Sequence, residues 1–460
     1  MTADISPQIL YGQQSRRSLS PSWPAESILV QTTNGHALLD PYTTLLGPGI
    51  PIPWKIKCSN LPLSIPYDGL LAPNDPDGKS ASRSSKRRKI KREISQNEQA
   101  NIDLHNELRA WLPNAIEGVR EAYVGTSAPR WYSRDRLHTN ISLLPEETHR
   151  QPTDLVAWGK EVSEIRALNL EGDTLKHERL AELKELAGST SESSMSNLYE
   201  CMHVNYSTSI HILKTPATSF LIPPRSGFLM ADMSKWYDLL CRFMSKETFN
   251  TVLLDPPWRS KSVRRSANYK EMDMYDLYKI RLNDLLQASA KHHAVLIGVW
   301  VTNHAKCRRF VRDKLLPTWG VTGIVDWYWV KLTAGQEGDQ EIRHGGLPVW
   351  SFDGPSPRRC YEGLILGYYN PNNFDIKQEI PNKKAFLSVP LEHSRKPLVI
   401  DLLKPYSQGE GTKVLEMFAR YTPSSMRGET NTTGPGTDLW LSVGNEPLKY
   451  NEIGVQMVKE

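Results

Sequence analysis

The sequence predicts an α/β protein built on a parallel sheet. Three observations carry that expectation. Phe249-Asn-Thr-Val-Leu-Leu254 is a short apolar, β-prone run that stops at Asp255-Pro256-Pro257-Trp258. After it, strand-like and helix-like patterns alternate: helix near 275–290, strand 294–301, helix 304–316, strand 323–331. Such alternation implies parallel strands joined by right-handed crossovers.

Each stretch follows from its residues, taken in order. Residues 1–85 are rich in Pro, Ser and Gly and suit small β elements or disorder, with Ser27–Gln31 and Ala37–Leu39 as strand candidates. Met1 to Gly12 lacks a cationic start followed by an apolar core, so a secretory signal is not expected. Residues 86–94 form a basic linker. Lys86-Arg-Arg-Lys-Ile-Lys-Arg92 fits an import-receptor signal or a nucleic-acid arm, with a solvated linker face as the alternative. Residues 95–200 read as a helical module. Leu104, Leu108, Trp111, Ala115, Val119 and Ala122 recur at helical spacing, interrupted by Pro113, and a second pattern runs from Val162 to Leu186. No heptad persists long enough for a coiled coil.

Phe228–Met233 reads as a strand followed by Asp232, which could cap the helix starting near Ser234. Trp327 and Trp329 share one face of their strand and suit core packing. Thr333 to Arg359 is long and rich in Gly and Pro, with Arg343, His344 and Arg358 as weak candidates for phosphate contact. Lys413–Arg420 is a strand entering a turn, and a further strand near 438–442 leads into Gly444-Asn445-Glu446, by itself a common turn.

Bulk properties narrow the class. The chain has 460 residues, room for two or three domains, with net charge +5, which permits a polyanionic partner without demanding one. No run of about 18 apolar residues exists, so no membrane span is expected. Five scattered cysteines with no Cys-x-x-Cys pair support neither a disulfide framework nor a metal site, and they fit a reducing compartment.

The chemistry concentrates at Asp255-Pro-Pro-Trp258. Prolines end a strand because they offer no N–H to the ladder. An acid then sits at the carboxyl end of a core strand, where ligands of open α/β sheets bind. Asp255 can accept one N–H of an exocyclic amine, the proline carbonyls can accept the other, and Trp258 offers a flat face for stacking. The alternative is a strand ending in a Pro-Pro turn with tryptophan plugging the core. Lys261, Arg264, Arg265, Asn268 and Tyr269 follow, cations and an aromatic suited to phosphate contacts and base stacking.

Asp255-Pro-Pro-Trp-Arg-Ser-Lys-Ser-Val-Arg-Arg-Ser266, Tyr361-Glu-Gly-Leu-Ile-Leu-Gly367, Ser388-Val-Pro390, His393-Ser394, Lys396-Pro397 and Leu415-Glu-Met-Phe-Ala-Arg420 stand in one order. Together they resemble the S-adenosylmethionine-dependent N6-adenine methyltransferase family, over roughly residues 220–450. The resemblance implies a catalytic domain at 215–458, Rossmann-like, with a permuted motif order in which the Asp-Pro-Pro-Trp strand precedes the main cofactor strand. It implies S-adenosyl-L-methionine as cofactor. Its contacts would be Asp232, Met233, Asp255, Lys396, Phe418, Arg420, Asn445 and Glu446: Asp232 bonding the adenine amine, Lys396 the methionine carboxylate, Arg420 near the ribose. It implies catalysis by Asp255, Pro256, Pro257 and Trp258 on RNA in the nucleus, at an internal 2′-O-methyladenosine of the spliceosomal snRNA that pairs with branch sites. DNA adenine is the alternative substrate, a non-catalytic RNA-binding scaffold the alternative of another class, and a monomer the expected state. One departure stands out: residues 421–438 are longer than the family's usual crossing, which puts a ribose contact there in doubt.

Overall fold

The computed structural model describes residues 27–40, 54–57, 94–124, 137–138, 155, 183–185, 190–192, 198–258, 272–333, 346–353, 358–391, 395–425, 438–454 and 457–459. Its centre is a twelve-stranded sheet. In chain order the strands are β1 (Ile28–Gln31), β2 (Ala37–Leu39), β3 (Leu183–Glu185), β4 (Met202–Asn205), β5 (Ser226–Met230), β6 (Thr251–Leu254), β7 (Val295–Val301), β8 (Val321–Lys331), β9 (Tyr361–Tyr369), β10 (Lys383–Ser388), β11 (Lys413–Met417) and β12 (Leu439–Gly444). Across the sheet they lie β1-β2-β10-β8-β9-β7-β6-β11-β12-β5-β4-β3.

The strand predicted before Asp255 lies in the middle. All four residues of β6 are buried, and the side chains part between two cores. Val252 and Leu254 pack with Val295, Ile297, Val299, Leu415, Met417 and Trp236, whereas Leu253 packs with Leu296, Trp300, Val414 and Trp440. A strand covered on both faces carries a continuous apolar run rather than an alternating one, which is what Val252-Leu-Leu254 shows.

β7, β6, β11, β12 and β5 are mutually parallel neighbours, so their carboxyl ends open on one edge. The chain leaves β6 for β7 on one side, and leaves β11 for β12 on the other. The gap between β6 and β11 is therefore a topological switch point, where side chains are not crossed by a connection and a ligand can enter.

The wholly parallel sheet expected from alternation is corrected: β9 runs antiparallel to both β7 and β8, and β4 antiparallel to β5. The Gly- and Pro-rich residues between β8 and β9 carry no helical pattern, and an antiparallel return needs none, whereas a parallel one needs a crossover. The reversal brings Glu362, near the start of β9, to the edge where β8 ends at Lys331.

Helix α1 (Gln96–Val124) runs through Pro113 instead of breaking there. Pro113 faces solvent while Leu108, Leu112, Ala115, Ile116 and Val119 are buried, and that burial offsets the missing N–H. A reciprocal cap starts the helix: the backbone N–H of Ser95 donates to Glu98 at 2.9 Å and that of Glu98 to Ser95 Oγ at 3.3 Å. The second helical pattern, by contrast, contains extended chain at β3. β3 pairs with β4 at the sheet edge, and ladder bonds there override a weak local preference. The helix expected at 275–290 is three short pieces, Met274–Ile280 and Ser289–Lys291 as 3-10 turns flanking α-helical Leu282–Leu286. Arg281, at φ +50°, interrupts it. Strands at 28–31, 37–39, 295–301 and 321–331 lie within a few residues of their predicted places. Trp327 and Trp329 are buried in one core cluster, as their shared face predicts.

No helix among the described residues is long and apolar enough to cross a membrane. The basic run Lys86–Arg92 lies outside them.

Candidate active site

Beyond the carboxyl ends of β6 and β11 lies a cavity that is open to solvent. Asp255, Trp300, Arg395, Lys396, Glu416 and Phe418 are among its walls, with Arg420, Trp440 and Tyr450. Asp255 follows β6 directly, and its N–H donates to Met417 O at the end of β11 at 3.2 Å. That bond fixes the acid at the switch point.

The Asp255 carboxylate is a fifth exposed and ion-paired to Lys396, whose Nζ lies 3.0 Å from Oδ1 and 3.1 Å from Oδ2. Each oxygen has two acceptor sites, so one ammonium does not saturate the group. Lys396 also reaches Glu362 at 3.2 Å, and Glu362 pairs in turn with Lys331. The four side chains form an alternating charge relay along the sheet edge. Burial alone would raise the Glu362 carboxyl, but Lys331 and Lys396 outweigh it and hold it at about 2. Burial likewise opposes the charge on Lys396, yet Asp255 and Glu362 together raise its pKa. The indole of Trp300 lies under the same ammonium, 5.5 Å away.

Lys396, expected to meet a methionine carboxylate, is paired with Asp255 and Glu362. Glu416 on β11 behaves oppositely to Glu362. Burial pushes its carboxyl up to about 8, the nearby Asp255 charge adds to this, and a hydrogen bond from Trp440 Nε1 at 3.1 Å only partly opposes it. At neutral pH it is a protonated acid facing the cavity.

Pro256 O accepts the Trp258 N–H at 2.8 Å, closing a three-residue turn. Trp258 in turn bridges to Met272 beyond the turn. Trp258 corrects the stacking expectation. It is 7 % exposed, sits within the core cluster under β6, and donates its indole N–H to Trp300 O at 2.8 Å. An indole whose N–H is satisfied inside is a fixed plug, and it locks the turn that presents Asp255.

The far side is built from β11, β12 and β5. Phe418 takes φ +64°, outside ordinary territory for a bulky residue, and packs edge-on against Trp236 at 4.8 Å. Gly444 allows this crossing: a Cβ there would meet Ala419 O at 2.8 Å. Arg420 Nε lies 3.1 Å from Glu446 Oε1 without hydrogen-bond alignment, and Lys449 donates to Glu446 Oε2 at 3.0 Å. Asn445 Oδ1 is buried and unbonded among the described residues. Ala231 N–H donates to Gly444 O at 3.0 Å, which brings Asp232 beside Asn445. Asp232 caps helix α2 (Met233–Met244), its Oδ1 accepting from Ser234 N at 3.0 Å. The capping alternative therefore holds and occupies one oxygen. Met233 packs against the core cluster.

Lys261, Arg264, Arg265, Asn268, Tyr269, Arg343, His344, His393 and Ser394 lie outside the described residues, as do residues 426–437 of the long crossing. Arg358 is described and stacks 5.7 Å from the Trp350 ring, with no phosphate role visible in its surroundings. Sequence reasoning gave no role to Lys331, Glu362, Arg395 or Glu416. The signal for three of them was available: Lys331, Glu362 and Glu416 are charges set in otherwise apolar strands, and such residues mark paired or functional sites.

The MT-A70 family model matches residues 249–436, which include Asp255, Lys396 and Arg420 but stop before Asn445. The chain is 31% identical over 287 residues to the N(6)-adenine-specific methyltransferase METTL4 of Homo sapiens, covering 61% of this chain and 53% of that protein. It is 32% identical over 216 residues to the DNA N6-methyl methyltransferase of Caenorhabditis elegans (45% and 52%). It is 28% identical over 208 residues to the N6-methyladenosine RNA methyltransferase MTA1 of Pyricularia oryzae (44% and 50%). The chain spans about half the length of these curated relatives.

Proposed function

With residues 249–436 an MT-A70 methyltransferase domain, we propose that the protein methylates the N6 amino group of adenine in a nucleic acid, with S-adenosyl-L-methionine as donor. The observation that carries this is the Asp255 carboxylate, held at the switch point by Lys396 yet open to the cavity. The domain is proposed to be Rossmann-like with β6 and β11 in permuted order.

The residues suit such a donor because polar groups stay unsatisfied: the Arg395 guanidinium in the cavity wall and Asn445 Oδ1 just after β12 have no hydrogen-bond partner among the described residues. Asn445, Glu446, Arg420, Phe418 and Asp232 would hold its nucleoside. When bound, the donor supplies an activated methyl group.

The chain's own part is to make a poor nucleophile reactive. An adenine amine delocalises its lone pair into the ring. Asp255 and a proline carbonyl accept its two N–H groups, which turns the lone pair out of the ring plane. Positioning of this kind removes several kcal/mol from a barrier. Asp255 also stabilises the positive charge that develops on nitrogen, and Lys396 keeps the carboxylate aimed. After transfer, the spare proton passes to Asp255 or to water. A paired base cannot enter, so the target is single-stranded or flipped out.

RNA is the proposed substrate, specifically an internal 2′-O-methyladenosine of the branch-site-pairing snRNA, in the nucleus. The sequence resemblance supports it, together with the RNA-methylating relative in Pyricularia oryzae. DNA is the second reading, favoured by the name of the Caenorhabditis elegans relative. Nucleoside mass spectrometry of RNA and DNA oligonucleotides treated in parallel decides between them. N6-methyladenosine appearing only in DNA would replace the RNA reading. No methylation of either, with no thermal stabilisation by S-adenosylmethionine, would leave a binding scaffold.

A further inference from the structure

The bridge from Trp258 to Met272 brings the chain back beside the turn that presents Asp255, and it continues into the 3-10 turn Met274–Ile280. Tyr275 in that turn is 51 % exposed. It is nonetheless held: Phe310 meets its ring edge-on at 5.3 Å, and Tyr278 stacks beside it at 6.4 Å. Phe310 belongs to the helix Ala305–Phe310, which follows the carboxyl end of β7. β7 runs parallel to β6, so that helix begins on the same edge of the sheet as Asp255. A fixed ring presented to solvent at this edge is a stacking face.

The same helix carries the charge. Between Ala305 and Lys314 stand Lys306, Arg308, Arg309, Arg312 and Lys314, against one acid, Asp313. Arg308 and Arg312 share the single carboxylate of Asp326, which leaves that trio positive. Lys306, Arg309 and Lys314 are exposed and form no ion pair among the described residues. Arg309 reaches only the neutral amide oxygen of Asn97 on α1. The acids of the facing turn are engaged, Asp276 with Lys279 at 2.8 Å and Asp273 with the Tyr275 N–H at 3.0 Å. Lys306 and Lys314 lie one turn to either side of Phe310, so they flank the face on which Tyr275 packs. Between them the helix widens into a π turn at Val311–Leu315, a rare form that often marks functional sites.

We propose that Tyr275, Lys306, Arg309 and Lys314 form the docking surface for the single-stranded nucleic acid that carries the target adenine, with one base stacked on Tyr275 and phosphates on the three cations. This rests on the methyltransferase reading above and adds the side from which the strand approaches Asp255. An acidic peptide would use the cations but give the flat ring nothing to stack on, whereas every base has a π face. A duplex would keep its base faces inside its own stack, so the strand is single. Lys306 to Lys314 spans about 12 Å at 1.5 Å per residue, the reach of a few successive phosphates.

The test is binding of a labelled, adenosine-containing single-stranded RNA oligonucleotide and of its DNA counterpart, by anisotropy at about 50 to 200 mM salt. Wild type is compared with Tyr275→Ala, Tyr275→Phe and a triple variant carrying Lys306→Gln, Arg309→Gln and Lys314→Gln. Loss of three phosphate contacts should flatten the slope of log affinity against log salt by about 2, since each contributes about 0.7 on a single strand. Tyr275→Ala should weaken binding by about 5- to 150-fold at an unchanged slope. Tyr275→Phe should restore it, because only the ring is used. Affinity for S-adenosylmethionine and the melting temperature should stay at wild-type values throughout, which separates a lost surface from a lost fold. A triple variant with the wild-type slope overturns the proposal and leaves the cations a solvated helix face. Full affinity in Tyr275→Ala overturns it as well. If wild type binds neither oligonucleotide, the nucleic-acid reading itself fails, a result distinct from a strand that docks elsewhere.

Discussion

The two sides of the cavity are built on opposite electrostatic plans. On the β6–β8–β9 side every charge has an internal partner: Lys331, Glu362, Lys396 and Asp255 alternate in one relay. On the β11–β12 side, polar groups stand ready without partners, namely the Arg395 guanidinium and Asn445 Oδ1. The paired side is set before any ligand arrives and holds its geometry through the reaction, which is what a residue that must point a lone pair requires. The unpaired side keeps buried polar atoms without hydrogen-bond partners among the described residues, a cost that a bound ligand would offset.

Cutting the paired side at its functional end gives the largest effect. Asp255→Ala should lower methyl transfer by at least about 100-fold, the scale of losing a group aimed at developing charge. The fold should persist, because Lys396 keeps Glu362. A labelled-methyl assay beside a melting curve checks both halves, and near-full activity would remove Asp255 from the mechanism.

Cutting the relay in its middle should cost stability as well. Lys396→Met leaves Asp255 and Glu362 facing each other across a site where the lysine was 16 % exposed. Removing one partner of a buried pair costs about 3–5 kcal/mol, read as a lower midpoint in urea. Adding Glu362→Gln should recover part of it, since the second variant removes one of the stranded charges. Additive losses would mean that the two residues do not share a relay.

How far the residues announced this arrangement depended on what fixed each one. β6 and its acid were legible because a run buried on both faces must be apolar, and because prolines must end it. The relay was not legible: Lys331 lies 31 positions from Glu362 and Lys396 a further 34, and only the antiparallel return of β9 joins them. Trp258 was misjudged as a free stacking face because an indole's partner, here the Trp300 carbonyl, is set by the neighbouring strand. Arg395 was passed over beside Lys396 because adjacent cations look alike until their neighbours are known. The block matched by the family model, residues 249–436, covers the paired side but ends before Asn445.

Protonation offers a third way to sharpen the contrast. Glu362 at about 2 lies below its ordinary 4.5, so its pairing stabilises the fold above pH 4.5, and that contribution fades as pH falls toward 2. Glu416 at about 8 lies above 4.5, so the folded state holds a proton that the unfolded state has lost. Stability then falls as pH rises from 4.5 and levels off above about 8, with a slope of at most about 1.4 kcal/mol per pH unit. Glu416→Gln, which cannot ionise, should flatten that decline in melting temperatures taken from pH 5 to 9, while Glu362→Gln should flatten only the acid limb. A decline unchanged in Glu416→Gln would place the titrating group elsewhere.

The smallest effect belongs to Asp232, where one carboxylate serves both plans. Its Oδ1 is spent on the cap of α2, and Oδ2 is proposed to meet the donor's adenine amine. Asparagine caps a helix about as well as aspartate, and alanine does not. Asp232→Ala should therefore lose about 0.5–2 kcal/mol of stability together with donor affinity. Asp232→Asn should keep the cap within a few tenths of a kcal/mol, yet replace a charged acceptor with a neutral amide. Its affinity for S-adenosylmethionine should fall by about 10-fold, the order of one charge-assisted bond. Calorimetry beside thermal melts separates the two roles, and an Asp232→Asn variant with full stability and full affinity would reduce Asp232 to a cap alone.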